Sequence, residues 1–262
     1  MKYIYLILLI LYFICYSSAH GGILSGNVSK EEYLRQNGLN LVRDSETGQP
    51  IKGAEISAPS QGITTFSDEN GYFKLELSPA KSFILAVKKE GYTPFSLTIS
   101  TIGQKNPLMI AIKRKSENDL VIDSALHHLG DDNFALNSSN ASKFRLRAES
   151  PNFTKKFYIG NILNKHAVYL KIGSIIGLDT DIEHKLSNIE INSSSTPASV
   201  YINGIKITEL RINGDNQSII IPMHALKSNS ENVITIETGV NKASRKRDYD
   251  DIEFLNLILE AR

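Results

Sequence analysis

From Gly38 onward, apolar and polar residues alternate with a period of two, the spacing of strands with one face buried and one face wet. The stretches "LNLVRD", "GAEISA", "GITTFS", "GYFKLEL", "SFILAVKK", "FSLTIS" and "PLMIAIK" each carry β-branched or aromatic residues and are separated by turn chemistry such as "ETGQP" and "DENG". The spacing predicts seven short strands over residues 38–113, enough for a small sandwich. A second series follows: "KFRLRAE", "KKFYIG", "HAVYLKIG", "SNIEIN", "ASVYING", "IKITEL", "QSIIIP", "NVITIET" and "DIEFLNLILE". Asn203-Gly204 between two alternating runs is the strongest hairpin signal in the chain. These strands predict a larger two-sheet jelly roll over residues 120–262. The polar run "KRKSEND" between the halves reads as a boundary, with residues 114–119 as the linker. One helical feature precedes them, because Ser29 and Glu32 fit a capping box that starts a short helix over residues 30–36. The expected class is all-β, and the lack of crossover helices excludes a parallel α/β fold.

The alternation is absent from the first nineteen residues. Lys2 is a lone positive charge, the run from Tyr3 to Tyr16 is almost wholly apolar, and Ser17-Ser18-Ala19 supplies small residues at a cleavage position. Residues 1–19 therefore read as a signal peptide and residues 20–37 as an N-terminal linker that carries the short helix. The apolar run falls short of the roughly 20 residues that cross a bilayer. A secreted or periplasmic protein, not membrane-spanning, is expected. Cleavage would remove Cys15, the only cysteine, so no disulfide supports the mature chain and its cores must hold it. With 29 basic and 28 acidic residues, the formal net charge of +1 argues against a nucleic-acid partner. Arg245-Lys246-Arg247 does not change this, since Asp248, Asp250 and Asp251 follow at once.

Residues 38–113 resemble the carboxypeptidase regulatory-like domains. The likeness is carried by "DSETGQPIKGAEI" at 44–56, "TTFSDENGYFKLEL" at 64–77 and "AVKKEGYTPFSLTI" at 86–99. It implies a transthyretin-like seven-stranded sandwich that acts as a non-catalytic spacer or accessory module. Asp44, Glu46, Asp68 and Glu69 are then turn residues rather than ligands.

Residues 120–262 resemble the galactose-binding-like jelly rolls. The stretches that carry this are "HLGDDNFALNSSNASKF" at 128–144, "VYINGIKITEL" at 200–210, "IIIPMHALKSNSENVITIETG" at 219–239 and "DYDDIEFLNLILE" at 248–260. The resemblance implies carbohydrate or cell-surface binding and a structural Ca2+ beside the paired first and last strands, with Asp131, Asp132 and Asp250 as its ligands. Calcium takes six to eight oxygens, which "GDDN" and "YDD" can supply in part. The competing reading is that these aspartates cap turns through local backbone amides. Alternation on the last strand points Asp250, Ile252 and Phe254 one way, toward the core, and leaves Asp251 and Glu253 facing solvent. His127-His128 within "ALHHL" reads as a packed turn.

Sugar recognition needs an aromatic face together with amides for the hydroxyls, and the candidates are Phe134, Asn137, Tyr158 and Tyr249. The chain has no tryptophan. No HExxH motif, P-loop, dinucleotide fingerprint or nucleophile elbow occurs, since "GSIIG" at 173–177 places its serine directly after the glycine. The expected function is therefore a secreted, non-enzymatic binding protein. A secreted structural or host-interaction factor whose loops bind protein is the alternative. A third reading is a copper monooxygenase using an amino-terminal His20, but the flexible "GGILSG" that follows would not fix its geometry.

Overall fold

The structure is a computed structural model and describes residues 29–76, 82–100, 106–133, 144–187 and 194–262. The proposed signal peptide and His20 lie outside these residues. Helix α1 (Lys30–Gln36) starts as its capping box predicts, with Ser29 Oγ accepting from the Glu32 backbone N at 3.2 Å. Its Leu34 is buried, and the Leu34 carbonyl receives the Leu39 N–H that leads into the first strand.

All seven strands expected in the first half form. They are β1 (Asn40–Asp44), β2 (Glu55–Ala58), β3 (Ile63–Phe66), β4 (Tyr72–Phe73), β5 (Phe83–Lys88), β6 (Phe95–Ile99) and β7 (Met109–Ile112). They build two sheets, ordered β4-β1-β7 and β3-β2-β5-β6, around Val42, Ile56, Phe73, Leu85, Val87, Ile110 and Ile112. Asp44 and Asp68 are turn residues, as expected. Asp44 Oδ1 accepts from the Glu46 and Thr47 backbone N–H groups, both at 2.9 Å, and Asp68 Oδ1 accepts from Asn70 N and Tyr72 N, both at 2.8 Å. The Thr47 N–H bond, opposed by burial and joined by Glu46, Tyr92 and Arg114, holds the Asp44 carboxyl well below the usual carboxylate range.

The second half is an eight-stranded antiparallel sandwich: β8 (Asp119–Leu129), β9 (Asn152–Ile159), β10 (Val168–Ile176), β11 (Ala198–Ile202), β12 (Ile205–Leu210), β13 (Gly214–Ile221), β14 (Ser230–Glu237) and β15 (Ile252–Ala261). Its sheets run β13-β10-β15-β8 and β12-β11-β14-β9. Apart from the β11–β12 hairpin, successive strands switch between sheets in the order of a jelly roll, and the first and last strands lie side by side. The core contains Phe153, Leu170, Ile172, Val200, Ile234, Ile236, Phe254, Leu257 and Leu259.

Several expectations need correction. The segment expected as a linker is bonded to the first sandwich where it starts: Thr93 N donates to the Lys113 carbonyl and Lys115 N to the Gly91 carbonyl, both at 2.9 Å. Strand β8 then begins at Asp119, whose carboxylate accepts from Thr93 Oγ1 at 3.1 Å. Within "KFRLRAE" the described residues 144–149 form no strand, and "ALHHL" is the end of β8 and not a turn. A second short helix, α2 (Asp181–Ser187), has no counterpart in the expected pattern. Most of "SNIEIN" lies outside the described residues.

The two sandwiches pack against each other. Ile84 and Ala86 of β5 form a buried cluster with Ile176 of β10 and Leu255 of β15. A polar clamp sits beside it. The Asp215 carboxylate accepts from Thr98 N at 2.9 and 3.0 Å, from Thr98 Oγ1 at 2.8 Å and from Ser174 Oγ at 2.7 Å, while Ser174 Oγ lies 3.0 Å from Ser96 Oγ. As a result β15 is buried along its whole length, one face in the jelly-roll core and the other under the first sandwich.

At the far end of β15, Glu260 accepts from Lys171 Nζ at 2.6 Å and Arg262 Nε at 2.7 Å. The Arg262 bond, working against burial and supported by Lys171, lowers the Glu260 pKa from 4.5 to about 2. A folded-state pKa below the unfolded value means that this stabilisation is complete above pH 4.5 and is lost as pH falls toward 2. Glu260→Gln is expected to flatten that acid limb, read from urea unfolding midpoints across the window. A variant with the wild-type slope would show that the pair contributes nothing.

Candidate functional site

The pairing of β8 with β15 gathers ionisable groups from distant parts of the sequence. In register, Leu129 faces Ile252, His128 faces Glu253 and His127 faces Phe254. Neighbouring side chains on a strand point to opposite faces, so the two histidines separate. The His127 ring packs into the jelly-roll core, 4.4 Å from the Phe153 ring and 5.3 Å from that of Phe254. The His128 ring lies on the other face, 4.7 Å from the Phe144 ring, and is 1% exposed.

Beyond Leu129 the chain turns sharply. Gly130 has φ +153°, and a Cβ there would stand 2.0 Å from Asp251 Oδ1 and 2.9 Å from the Asp251 Cα. Only glycine permits this approach. It brings Asp132 N to 3.2 Å from Asp251 Oδ1, with Asp132 itself in the left-handed region at φ +54°. Asp132 Oδ2 accepts from Ala148 N at 3.0 Å. His128, Asp132 and Asp251 thereby offer three ligand atoms within 4.8 Å of one another.

The electrostatics of this corner follow from burial. Asp251 is 0% exposed and Glu253 1% exposed, and among the described residues neither Asp251 Oδ2 nor Glu253 Oε1 has a hydrogen-bond partner. Burial raises the Glu253 pKa from 4.5 to about 7, although the nearby His128 works the other way. At His128, burial lowers the pKa, but the contacts to Asp251 and the Leu146 carbonyl and the charges of Asp251 and Glu253 together raise it. Burial also raises Asp248, opposed by the Asn241 amide and reinforced by the Asp131 and Asp251 charges.

Of the three carboxylates expected to ligate metal, only Asp132 belongs to this cluster of potential ligands. Asp131 behaves as a turn cap: Oδ1 accepts from Asn133 N at 3.1 Å and Oδ2 from Tyr249 N at 3.2 Å. Asp250 is fully buried but bonds elsewhere, its Oδ2 accepting from Asp179 N at 3.1 Å. Asp179 in turn contacts His184 of α2. Asp251 and Glu253, expected in solvent, are buried: Gly130 and His128 close on Asp251, while Glu253 lies beside Gln61 and Phe83 of the first sandwich. Neither His128 nor Asp251 was expected among the metal ligands. The signal for both was the apolar run "FLNLIL" on β15, which marks a strand covered on both faces.

The aromatic candidates scatter. Phe134 and Asn137 lie outside the described residues. Tyr158 stands on β9, 61% exposed, on the outer face of the sheet β12-β11-β14-β9. Tyr249 is half-buried, and the Arg247 guanidinium lies 5.0 Å from its ring centroid, so that ring already carries a cation.

Comparison with known proteins agrees with the first sandwich. Residues 41–122 match the model of the CarboxypepD_reg-like domain. The first sandwich is a CarboxypepD_reg-like domain. No curated protein matches the chain. Among solved structures, the chain is similar to one titled structure of infectious bursal disease virus Gt strain, at 11% identity and a TM-score of 0.26, over 85% of this chain and 54% of that chain. The corresponding structure of the Gx strain gives 10% identity and a TM-score of 0.23, over 84% of this chain and 54% of that one. This chain thus spans about half the length of each.

Proposed function

We propose that the protein is an exported, non-catalytic recognition factor. Its jelly roll, read as galactose-binding-like, holds a carbohydrate or cell-surface component, and the CarboxypepD_reg-like domain backs it as a rigid spacer. The amino-terminal pattern of charge, apolar run and small residues supports export, and no described helix is long and apolar enough to cross a membrane.

One observation carries the reading. The CarboxypepD_reg-like domain packs on one sheet of the jelly roll, and Tyr158 stands exposed on the outer face of the other. Thr154 and Lys156 share that face on β9, and Thr235, Glu231 and Tyr201 continue it across β14 and β11. An exposed phenol ring among hydroxyl, ammonium and carboxylate groups suits a pyranose, which offers an apolar face for stacking and hydroxyls for hydrogen bonds.

Tyr158→Ala is expected to weaken binding to any glycan found on a panel by about tenfold, the loss of one stacking contact. Tyr249→Ala, whose ring is covered by Arg247, is expected to leave that binding unchanged. A protein silent on the panel overturns the carbohydrate reading, and capture of one defined protein partner in its place would favour the host-interaction reading.

A further inference from the structure

We propose that His128, Asp132 and Asp251 bind a divalent transition-metal ion of the zinc class, and not calcium, at the junction of β8 and β15. The argument starts at the imidazole. His128 Nδ1 lies 2.7 Å from the Leu146 carbonyl oxygen. A carbonyl only accepts, so Nδ1 carries the hydrogen and the lone pair of the neutral ring is on Nε2. That nitrogen faces Asp251 Oδ1 at 3.3 Å. With the ring neutral, both atoms are lone-pair donors in a buried corner, and a metal ion can replace the proton that otherwise joins them as an ion pair. The backbone carbonyl on Nδ1 is also the partner that metal-ligating histidines commonly use to fix tautomer and ring orientation.

The carboxylates agree. Asp251 Oδ1 already accepts from Asp132 N, and its Oδ2 is buried with no donor among the described residues. Asp132 reaches the site from a left-handed backbone conformation that a non-glycine residue adopts at a cost, with its exposed side giving an ion a route from solvent. The three ligand atoms lie within 4.8 Å of one another, and a modest inward shift brings them to the spacing of about 3.4 Å that a tetrahedral ion at about 2.0–2.2 Å from each needs, with the fourth position left to water. Calcium does not fit this donor set. It takes six to eight oxygens, whereas here one of three ligands is an imidazole nitrogen and two are carboxylates. The ion would staple the loop after β8 to the start of β15. The proposal does not depend on what the open sheet binds.

The test uses the purified protein stripped with chelator and dialysed against Zn2+, Co2+ or Ca2+, with bound metal counted and melting followed. One equivalent of Zn2+ is expected, unaffected by millimolar Ca2+, together with a higher melting temperature because the ion binds only the folded chain. Co2+ should give visible absorption bands that excess Zn2+ removes. His128→Asn and Asp132→Ala are each expected to weaken Zn2+ binding by at least about 100-fold, since even outer partners of metal ligands are worth about 10–100-fold. Asp132 is exposed, so its alanine variant should fold and keeps the test sound if the His128 variant does not. His224→Gln, an exposed histidine elsewhere, should bind as wild type. Stoichiometry below about a tenth, a preference for Ca2+, or Zn2+ binding that survives both substitutions overturns the proposal.

Discussion

Phe254→Ala is expected to destabilise the protein by about 3–5 kcal/mol, the range for deleting a buried aromatic side chain. Phe254 is fully buried in the jelly-roll core on β15, between Ile175 of β10 and His127 of β8. Its ring meets that of Phe153 edge-on, centroids 5.3 Å apart at 80°, and lies 5.3 Å from the His127 ring. Alanine leaves a cavity that both strands are too well hydrogen-bonded to close. It also exposes one side of His127, which is fixed by Asp123 at 3.2 Å and Glu149 at 3.0 Å. Domains of this kind have total stabilities of about 5–15 kcal/mol, so the variant should lose a large part of its resistance to urea. Phe66→Ala is the matched control, since Phe66 is 62% exposed and should change the midpoint by less than about 0.5 kcal/mol. Equal midpoints for the two variants would mean that β15 is not the centre of the core.

The contrast between those two phenylalanines shows what the sequence made legible. Period-two alternation found all seven strands of the first sandwich and most of the second, and it put Ile252 and Phe254 on the core face of the last strand. The turn chemistry of Asp44 and Asp68 was equally local and came out as read. The expectation that the first and last strands of the jelly roll meet also matches the β8 and β15 pairing. What alternation could not supply was the fate of the other face. Asp251 and Glu253 read as solvent-facing because a carboxylate opposite a core residue usually is. That face is closed from far away in the sequence: Ile84 and Ala86 lie on Leu255 and Ile176, Gln61 and Phe83 stand beside Glu253, and the loop turning at Gly130 closes on Asp251. The candidate metal ligands moved for the same reason. Once β15 is covered, the buried acceptor on His128 and the glycine at position 130 select Asp251, while Asp131 and Asp250 are used by backbone amides of the loops they join. Strand β8 was missed because its first residues follow a polar run that resembles a spacer, and two adjacent histidines break the apolar count at its end.

Gly173→Val is expected to drive the two sandwiches apart. Gly173 lies in β10 on the face that meets the CarboxypepD_reg-like domain, where the chains approach too closely for any side chain. A Cβ there would stand 2.4 Å from Ser96 Oγ, 2.8 Å from the Asn256 Cβ and 3.0 Å from the Leu255 carbonyl oxygen. The serine hydroxyl can rotate away, but the Asn256 Cβ and the Leu255 carbonyl belong to a bulged part of β15 that is bonded on both sides and cannot shift cheaply. Alanine should therefore cost about 1–3 kcal/mol, as overpacking of a rigid site does, and valine more, because its two further methyl groups enter the same contacts. Displacement by one side chain also pulls Ser174 and Asp215 from Ser96 and Thr98, so the polar clamp fails together with the apolar cluster. Wild type should unfold in urea as one cooperative transition, and the valine variant in two, with the CarboxypepD_reg-like domain and the jelly roll melting separately. Amide hydrogen exchange gives the residue-level check: protection on β5 and β6 should drop in the variant while β11 and β14, on the far sheet, keep theirs. A single transition with an unchanged midpoint in the valine variant would show that the sandwiches do not meet at Gly173.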